Sequence, residues 1–381
     1  MKIVHVINGL DIGGAETMLL RLLSQCDRQN YDFEVVSLTD LGAITDGLRA
    51  LGVPVRALGL RRGAAIPDPR AVFRLAGWLR QSRPDLVQTW MYHANLVGGL
   101  AAKLAGGPPV IWGIRQTNVD LASVRLRTSL IAKGAALLSK ILPAYILYNS
   151  HVSRRAHAAL GYADDRAGVI ANGFDLEIFK PDTAARGAVR QELGLDEGTP
   201  LIGLIARYDP QKDHATFIAA AGMVHRQHPE AHFLLAGLDA DTKNSILATA
   251  IAEAGITSHC HLLGHRHDMP ALMASLDIAC SSSIGEGFPN TVGEAMACSV
   301  PCVVTDVGDS ALIVGDTGHV VPPRDPVILA EHIGLILSLS GSARRALGQS
   351  ARERIKTEFS LDAAACAYQN LWHGIVNSRN I

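Results

Sequence analysis

Short runs of β-branched and other apolar residues recur along the first half of the chain, and segments with helical spacing of apolar positions separate them. The runs are nearly continuous in apolar residues, which is typical of parallel strands whose two faces are both covered by helices. This alternation predicts a Rossmann-like, doubly wound α/β domain. The predicted strands are Lys2–Ile7, Phe33–Leu38, Val53–Leu58, Leu86–Trp90, Val110–Ile114 and Tyr145–Asn149.

The same pattern starts again in the second half, after a connecting segment at Ala171–Pro181 that contains an Asn-Gly turn and ends in proline. We therefore predict two doubly wound parallel-sheet domains, residues 1–172 and 173–360, that face each other across a cleft. The last segment, Leu361–Val376, carries an apolar helical stripe that needs a surface to pack on. The strands predicted for the second domain are Leu201–Ala206, His232–Ala236, His261–Leu263, Ile278–Ser281 and Cys302–Thr305, separated by helices such as Ala215–His228 and Pro326–Leu337.

Length and composition agree with two globular domains. The chain has 381 residues, with 48% apolar and 19% charged residues and a formal net charge of -1. That charge argues against nucleic acid as a partner. The sequence offers neither a signal peptide nor an uncharged stretch of the roughly 18 residues that a membrane span needs, so we expect a cytoplasmic protein. Its six cysteines are scattered, which predicts reduced thiols rather than disulfides.

The segment Glu286-Gly-Phe-Pro-Asn-Thr-Val-Gly-Glu294 places two carboxylates eight positions apart, one in a loop and one inside a helix. Pro289 suits a first turn, so the helix is predicted to begin near Asn290. Free N–H groups at a helix N-terminus attract phosphate oxygens, and a carboxylate can accept two sugar hydroxyls, so this layout suits a sugar-nucleotide site. An alternative interpretation, in which Thr291 and Glu294 form a capping box and Glu286 is a solvated loop charge, fits the segment equally well.

Two cations, Arg207 and Lys212, follow the first predicted strand of the second domain. A guanidinium can bind two oxygens of a diphosphate and an ammonium can bind a third, which stabilises a leaving phosphate without a metal. Loops that follow parallel strands meet at one edge of the sheet, so these cations are expected near Glu286 and Glu294. Viewed alone, two loop cations are more often simply solvated.

The first domain offers less specific candidates at the ends of its strands. Gly13 and Gly14 stand between the first strand and a helix, where they could admit a ligand to the helix N-terminus or simply form a tight turn. His93 follows the fourth strand and Arg115 follows the fifth. We predict that these four residues contribute to an acceptor or phosphate site, although a lone histidine is often only a surface residue.

A histidine-rich stretch in the second domain raises the question of a metal site. Its spacing matches no zinc module, and the pleat of a strand turns Cys260 to the face opposite its histidine neighbours. We therefore predict that the protein binds no metal. The residues concerned are His259, Cys260, His261, His265 and His267.

Residues 121–160 contain several cations and no acidic residue. Leucine, isoleucine and alanine alternate with these cations, so the segment forms a basic amphipathic surface that could rest on anionic lipid at the inner face of a membrane. A solvated helix face explains the same pattern equally well. The cations are Arg125, Arg127, Lys133, Lys140, Arg154 and Arg155.

Taken together, these residues resemble the retaining GT-B glycosyltransferases of the group 1 class, also called family 4. The resemblance covers nearly the whole chain. Its most specific parts are Glu286–Glu294 with the Ala-Met-Ala that follows, Val300–Gly308 and Thr317–Pro322. Supporting parts are Gly13–Glu16, the linker Asn172–Pro181, the Arg207–Lys212 loop and Gly264–Asp268.

The resemblance implies roles for these residues. Arg207 and Lys212 would hold the donor diphosphate, Glu286 the hydroxyls of the transferred sugar, and Glu294 the ribose. The backbone of Gly287, Phe288, Pro289, Asn290 and Thr291 would line the phosphate and sugar, and Gly264 and Arg266 would lie near the nucleobase. Catalytic roles are expected for Glu286, His93, Arg207 and Lys212.

The resemblance further implies that the N-terminal domain binds the acceptor and that the C-terminal helix (361–381) returns to this domain. It implies transfer with retention of anomeric configuration and with neither a metal nor another cofactor. The chain departs from the family in two places: Ser299 replaces a common glycine in the segment after Glu294, and one loop lacks an expected histidine. Many members carry a histidine after the fifth strand, whereas Trp112–Asn118 contains none, so His93 is a candidate for its replacement.

We therefore expect a hexosyltransferase that uses a nucleoside-diphosphate sugar, UDP-linked rather than GDP-linked, and a polysaccharide or lipid-linked glycan as acceptor. Two other classes stay open on the same residues. One is a nucleotide-sugar epimerase on the same fold, which would convert the sugar without any acceptor. The other is a non-catalytic protein that binds sugar nucleotides or glycans, against which the complete set of Arg207, Lys212, Glu286 and Glu294 argues.

Overall fold

The computed structural model describes residues 1–61, 69–115 and 133–378, and the chain divides into two compact units. The first unit comprises Met1–Gly173 together with Leu361–Ile381, and the second comprises Phe174–Ser360. Each unit contains one parallel sheet, of seven and six strands respectively. The chain passes from the first unit to the second one residue after the end of the predicted N-terminal domain.

The first sheet contains strands β1 Lys2–Ile7, β2 Asp32–Ser37, β3 Val55–Ala57, β4 Leu86–Trp90, β5 Val110–Ile114, β6 Tyr145–Tyr148 and β7 Ala167–Val169. All are parallel and lie in the order β3-β2-β1-β4-β5-β6-β7. The order reverses between β1 and β4, which is the feature of a doubly wound sheet that opens a crevice at the carboxyl ends of the strands.

Helices cover both faces of this sheet. Alternate residues of β1 enter opposite cores: Ile3 and Ile7 pack with one set of helices, and Val4 and Val6 pack with the other. This burial on both faces explains why the strands are nearly continuous in apolar residues. The helices are α1 Gly14–Gln25, α2 Thr45–Ala50, α3 Pro69–Ser82, α4 Tyr92–Leu104 and α5 His151–Ala159, and residues 133–138 are also helical.

The second sheet contains β8 Leu201–Ile205, β9 His232–Ala236, β10 Cys260–Gly264, β11 Ile278–Ser281, β12 Cys302–Thr305 and β13 His319–Val321. These strands are parallel and lie in the order β10-β9-β8-β11-β12-β13. The helices are α6 Thr183–Glu192, α7 His214–Gln227, α8 Ser245–Glu253, α9 Met269–Ser275, α10 Asn290–Ala297, α11 Ser310–Val314, α12 Pro326–Leu337 and α13 Gly341–Glu358, with 3-10 turns at Pro210–Lys212 and Gly315–Thr317.

The last helix, α14 Leu361–Asn377, belongs to the first unit. Its residues Tyr368 and Trp372 are fully buried in the core that also contains β1 and α1. Nε1 of Trp372 donates a hydrogen bond of 3.2 Å to Oε1 of Gln88, and the ring of Tyr368 stacks on Trp90. The apolar stripe of this helix therefore packs on the first sheet.

The pattern of the sequence does not predict β7 and β13, the last strands of the two sheets. Each has only three residues and pairs with a single neighbouring strand. Ala167–Val169 contains a glycine and His319–Val321 begins with a polar residue, so neither forms a recognisable apolar run. β3 is also shorter than predicted, Val55–Ala57 rather than Val53–Leu58.

Candidate active site

The order of the second sheet reverses between β8 and β11, which are hydrogen-bonded neighbours. Loops at such a reversal lie side by side and form the usual ligand-binding crevice of a doubly wound sheet. The loop after β8 carries Arg207 and Lys212, and the loop after β11 carries Glu286. The topology thus brings together Lys212 and Glu286, which are 74 positions apart in sequence.

Lys212 and Glu286 are in direct contact. Nζ of Lys212 lies 2.5 Å from Oε1 of Glu286, and Oγ of Ser283 donates a hydrogen bond of 2.7 Å to the same oxygen. Only 19% of the Lys212 side chain and 11% of the Glu286 side chain are exposed. The pair is therefore largely shielded from water, and charges interact more strongly there than at a free surface.

Gln211 holds the acidic loop beside the loop after β8. Its backbone carbonyl accepts a hydrogen bond of 2.8 Å from the N–H of Ile284, and its side-chain Nε2 donates to the carbonyl of Gly285. These two contacts fix the backbone immediately before Glu286. The carboxylate therefore projects from a loop whose position is set by its neighbour.

The loop after β12 supports the acidic loop from another side. The N–H of Asp309 donates a hydrogen bond of 2.9 Å to the carbonyl of Gly287. Gly308 has a φ of 60°, and a Cβ added to it would lie 2.6 Å from the carbonyl oxygen of Glu286. Only glycine fits this close approach of two backbones, so Gly308 is a structural requirement of the site.

The loop after β8 is ordered by its own hydrogen bonds. Asp209 accepts a backbone N–H bond of 2.9 Å and caps the 3-10 turn Pro210–Lys212. Asp213 adopts the left-handed region with a φ of 47°, and its side chain caps α7. Oγ of Ser282 donates a hydrogen bond of 2.9 Å to the carbonyl of Lys212. The backbone is therefore fixed on both sides of Lys212.

Arg207 lies on the same loop and is more accessible. Its guanidinium is 3.2 Å from Oδ2 of Asp209, and 58% of its side chain is exposed. Burial raises the pKa of Asp209, but the N–H of Gln211 and the charge of Arg207 outweigh it and hold that pKa below its usual value. Exposed ion pairs are weak, so Arg207 can exchange Asp209 for a ligand oxygen.

Helix α10 begins at Asn290, as the sequence predicts, and Pro289 occupies its N-cap position without a side-chain cap. Thr291 is the second residue of the helix. A capping box would place Thr291 before the helix, so that alternative is wrong. The N-terminus of α10 follows the Glu286 loop directly and adds the positive end of its dipole to this edge of the sheet.

Two residues predicted to contact a ligand in this segment are buried. Glu294 is 8% exposed and Phe288 is 6% exposed. The ring of Phe288 packs between those of Phe174 and Phe359, at centroid distances of 6.0 Å and 5.8 Å. Gly293 is tightly confined as well, since an added Cβ would lie 2.1 Å from the Phe174 ring. Phe288 therefore belongs to the core, and its backbone is the part that can line a ligand.

Gly264 ends β10 with a φ of 62°, so it turns the chain at the same edge of the sheet. Arg266, in contrast, forms ion pairs with other residues of the protein. Its guanidinium donates to both carboxylate oxygens of Glu192, at 2.6 Å and 3.0 Å, and to both of Asp268, at 2.9 Å and 2.7 Å. The hydrogen bonds that Arg266 donates to Asp268 and Glu192 raise its pKa. The side chain thus belongs to a structural ion-pair network. The expectation that it contacts a nucleobase did not include these partners.

In the first unit, Gly13 is the N-cap residue of α1 and Gly14 is its first helical residue. A Cβ added to Gly13 would lie 2.4 Å from Oε2 of Glu16, because this carboxylate folds back over the start of the helix. Burial raises the pKa of Glu16. Oε2 is the far end of a flexible side chain that can move, so this contact does not by itself require glycine, and a role for Gly13 and Gly14 in an acceptor or phosphate site stays a prediction.

His93 is the second residue of α4 and lies at the carboxyl end of β4. Met91, two residues earlier, has a φ of 73° and a ψ of 165°, a region that side chains other than glycine rarely adopt. The N–H of Ala94 donates a hydrogen bond of 2.9 Å to Oδ1 of Asn8. The backbone is therefore constrained on both sides of His93.

Arg115 makes contacts that are structural. Its guanidinium donates to the hydroxyl of Tyr368 at 2.9 Å and to Oδ1 of Asn172, and it lies 4.9 Å above the ring of Trp90. These partners connect the end of β5 with α14 and with the segment just before the chain enters the second unit. We therefore leave Arg115 out of the candidate site, although the sequence predicts it there.

Two imidazoles of the histidine-rich stretch pack against histidines of α7 and β9. Nδ1 of His232 and Nε2 of His261 share a hydrogen bond of 3.0 Å, and the rings of His225 and His259 lie 4.2 Å apart. Cys260 packs against the apolar core of the second unit. In the described part of the chain, no group of three or more His, Cys, Asp and Glu residues could hold a metal ion.

Sequence patterns do not identify Gln211, Ser283 and Gly308 as the residues that position Glu286. Ser283 had a usable signal, because Ser281–Ser283 is a run of hydroxyl residues at the end of β11, directly before the acidic loop. Gln211 had none, since its partner Gly285 is 74 positions away. Gly308 could be identified only once its φ and its neighbour were known.

Part of the basic segment can be placed. Residues 116–132, which include Arg125 and Arg127, lie outside the described range. In the remainder, Leu137 and Ile141 are 72% and 68% exposed, and Lys133 and Lys140 are exposed beside them. Lys133 and Leu137 lie in the helix 133–138, and Lys140 and Ile141 lie in the hydrogen-bonded turn that follows it.

Comparison with known families matches both units. Residues 12–178 match the family model described as Glycosyltransferase Family 4, and residues 199–338 match the one described as Glycosyl transferases group 1. The D-inositol 3-phosphate glycosyltransferase of Salinispora arenicola is 30% identical over 396 aligned positions, which cover 92% of this chain and 85% of that protein.

A second relative is the UDP-Gal:alpha-D-GlcNAc-diphosphoundecaprenol alpha-1,3-galactosyltransferase of Escherichia coli. It is 24% identical over 322 positions, covering 82% of this chain and 81% of that protein. Among solved structures, Anabaena HepE in complex with UDP superposes with a TM-score of 0.83 at 21% identity, over 98% of this chain and 100% of that one. HepE has also been solved with UDP-glucose.

Proposed function

Since the chain belongs to the group 1 glycosyltransferases of the GT-B fold, we propose that it transfers a hexosyl unit from a UDP-sugar to a polysaccharide or lipid-linked glycan, with retention of anomeric configuration and without a metal. The observation that carries this proposal is the meeting of Lys212 and Glu286 beside the N-terminus of α10. A diphosphate needs the cation of Lys212 and the helix N-terminus, and a sugar ring needs the carboxylate of Glu286.

The proposed donor site uses the residues of the second unit. Lys212 and Arg207 bind the diphosphate oxygens, and the N-terminus of α10 at Asn290 adds partial positive charge. Glu286 accepts hydroxyl groups of the sugar. In the described part of the chain both of its side-chain contacts fall on Oε1, which leaves Oε2 for the ligand. Glu294 is proposed to hold the ribose.

The proposed reaction forms and breaks one bond at the anomeric carbon. An acceptor hydroxyl attacks on the face from which the diphosphate departs, and its proton passes to an oxygen of the leaving phosphate. The bond between the anomeric carbon and that phosphate breaks, and UDP is released. Lys212 and Arg207 stabilise the charge that develops on the phosphate, which is why the proposal needs no metal.

The first unit is proposed to bind the acceptor near His93 at the carboxyl end of β4. The support for a lipid-linked acceptor is the similarity to the Escherichia coli enzyme, whose name specifies a diphosphoundecaprenol substrate.

Within the described ranges, no single helix is long and apolar enough to cross a membrane, while the bent pair Pro326–Leu337 and Gly341–Glu358 meets the criteria of length and composition.

Peripheral contact with a membrane is part of the proposal. Leu137 and Ile141 would enter the lipid surface while Lys133 and Lys140 meet anionic headgroups. Co-sedimentation with vesicles of anionic phospholipid tests this contact. The double variant Leu137→Ser and Ile141→Ser is expected to stay in the supernatant, while the control Leu335→Ser, at an exposed leucine of the second unit, is expected to pellet like the original protein. Equal sedimentation of all three would refute the contact.

The donor class is tested with a panel of UDP- and GDP-sugars in a thermal-shift assay, because a true donor stabilises the folded state by mass action. Transfer is then measured with a radiolabelled donor and membrane lipid. The expected result is labelled glycan that appears only with acceptor. Conversion of the sugar without acceptor would instead indicate an epimerase, and binding without either reaction would indicate a non-catalytic protein.

A further inference from the structure

The two groups proposed to bind different halves of the donor bind each other in this structure. Nζ of Lys212 is 2.5 Å from Oε1 of Glu286, and both side chains are mostly buried. A diphosphate that takes Lys212 must therefore draw it away from this carboxylate. Glu286 then keeps the hydrogen bond from Ser283 and loses its cation.

Separation of this pair affects two ligands differently. A mostly buried carboxylate that loses its counter-charge is strongly destabilised. An intact nucleotide sugar offers hydroxyl groups, which donate to Glu286 and replace the contact with Lys212. A nucleoside diphosphate offers oxygens to Lys212 but nothing to Glu286. The free product thus has to break an ion pair that the substrate can replace.

We propose that the Lys212–Glu286 pair discriminates between the intact donor and the nucleoside diphosphate product, and that Glu286 expels the product by recapturing Lys212 once the sugar has left. This inference rests on the proposed function of the site. It adds a role beyond ligand binding for both residues. Glu286 competes with the diphosphate for Lys212, and the hydroxyls of the sugar remove this competition because they replace Lys212 at the carboxylate.

The surrounding contacts allow the pair to re-form without rearrangement of the backbone. Ser282 fixes the carbonyl of Lys212, and Gln211 ties the loop after β8 to Gly285. Ser283 holds Oε1 of Glu286 in the direction of Lys212 and acts as a positioning residue. The exchange between closed pair and bound ligand is therefore confined to two side chains.

The test compares the affinities for UDP and for UDP-glucose or UDP-galactose by calorimetry, in the original protein and in Glu286→Gln. The amide keeps the size of the side chain and removes its charge. We expect Glu286→Gln to bind UDP about tenfold more tightly, which corresponds to about 1.4 kcal/mol, and to lose the preference for the sugar-bearing ligand.

Asp306→Asn is the matched control, because Asp306 is an exposed carboxylate at the end of β12 on the same edge of the sheet. It removes the same charge without removing the partner of Lys212, and we expect UDP affinity within about twofold of the original. Equal tightening in both variants would show a general charge effect and overturn the inference. Unchanged or weaker UDP binding by Glu286→Gln would also overturn it.

Ser283→Ala provides a second variant that keeps both charges. With UDP bound, Glu286 would then have neither its cation nor this hydrogen-bond donor, so we expect UDP to bind about twofold to threefold more weakly, with a smaller loss for a UDP-sugar whose hydroxyls donate to the carboxylate. Tighter UDP binding in this variant would contradict the inference. If the original protein bound neither UDP nor any UDP-sugar, the proposed function itself would fail and this inference with it. Binding of UDP without the predicted response to the variants would reject the inference alone.

Discussion

At the carboxyl end of the second sheet, Lys212 and Glu286 face each other across two loops, whereas at the carboxyl end of the first sheet Arg115 is bound to Tyr368 and Asn172. Both edges were predicted to carry ligand-binding residues from the same rule of topology. The rule places loops at an edge, but the direction of each side chain depends on which partner it finds there.

The two edges differ in how far apart in sequence the contacting residues lie. Glu286–Glu294 is a contiguous loop and helix start, so its local geometry can be predicted from the spacing of Pro289 and Asn290. Arg115 has partners in α14 and at Asn172, which lie 253 and 57 positions further along the chain. A contact made between such distant segments leaves no local trace.

The strongest way to break this contrast is Glu286→Ala. We expect transfer to fall by at least about a hundredfold, because the variant removes the carboxylate proposed to orient the sugar. Circular dichroism should show an intact fold, since the backbone of this loop is held by Gln211 and Asp309. Asp306→Ala, which removes an exposed carboxylate of the same edge, should retain transfer. Activity of the Glu286 variant at the level of the original protein would remove the site assignment.

The fold was largely predictable because strands of parallel sheets are read from apolar runs, and the two doubly wound sheets are confirmed. What escaped prediction depends on tertiary neighbours. Short edge strands such as β13 bury little apolar surface and lack a distinctive run. The family resemblance places Arg266 near the nucleobase, yet its guanidinium is bound by the carboxylates of Glu192 and Asp268. Arg266 and Glu192 are 74 positions apart, so their spacing in the sequence does not predict the ion pair.

Arg115→Ala sharpens the other side of the comparison. Loss of the bonds to Tyr368 and Asn172 should lower the free energy of unfolding by about 2 kcal/mol, because two partly buried hydrogen-bonding groups lose a charged partner. The Michaelis constants for donor and acceptor should stay within about twofold of the original values when assayed well below the melting temperature. A large increase in the acceptor constant with unchanged stability would return Arg115 to the substrate site.

Acid should weaken both units through their histidines. Burial lowers the pKa of His5 to about 3 and that of His157 to about 4, and burial together with His261 and His259 lowers that of His232 to about 4. In the unfolded chain these groups titrate near 6.5. Protons therefore bind the unfolded state first, so stability is lost as the pH falls from about 6.5 toward 4.

His232→Gln tests the share of the second unit in this acid sensitivity. His232 is half-buried and bonded to His261, so the substitution is expected to be tolerated at neutral pH. The fall in melting temperature between about pH 7 and about pH 5 should be smaller than in the original protein by about 2–4 °C. Thermal melts followed by circular dichroism measure it. An identical fall in both proteins would show that His232 binds protons equally in the folded and unfolded states, so that its pKa is not lowered by folding, contrary to the prediction.

The smallest expected effect compares strain at the two units. Ser299 follows α10 with a φ of 61°, and Met91 precedes α4 with a φ of 73°. Ser299→Gly should raise the free energy of unfolding by about 0.5–1 kcal/mol and leave transfer unchanged, because the strain there is relieved at the end of a helix. Met91→Gly relieves similar strain beside His93, so it should raise the acceptor Michaelis constant while donor binding is retained. Denaturant unfolding and steady-state kinetics measure the two effects. If Met91→Gly, like Ser299→Gly, left the acceptor Michaelis constant unchanged, the strained turn before His93 would have no part in substrate binding. The carboxyl edge of the first sheet would then have no residue that supports it as the acceptor site.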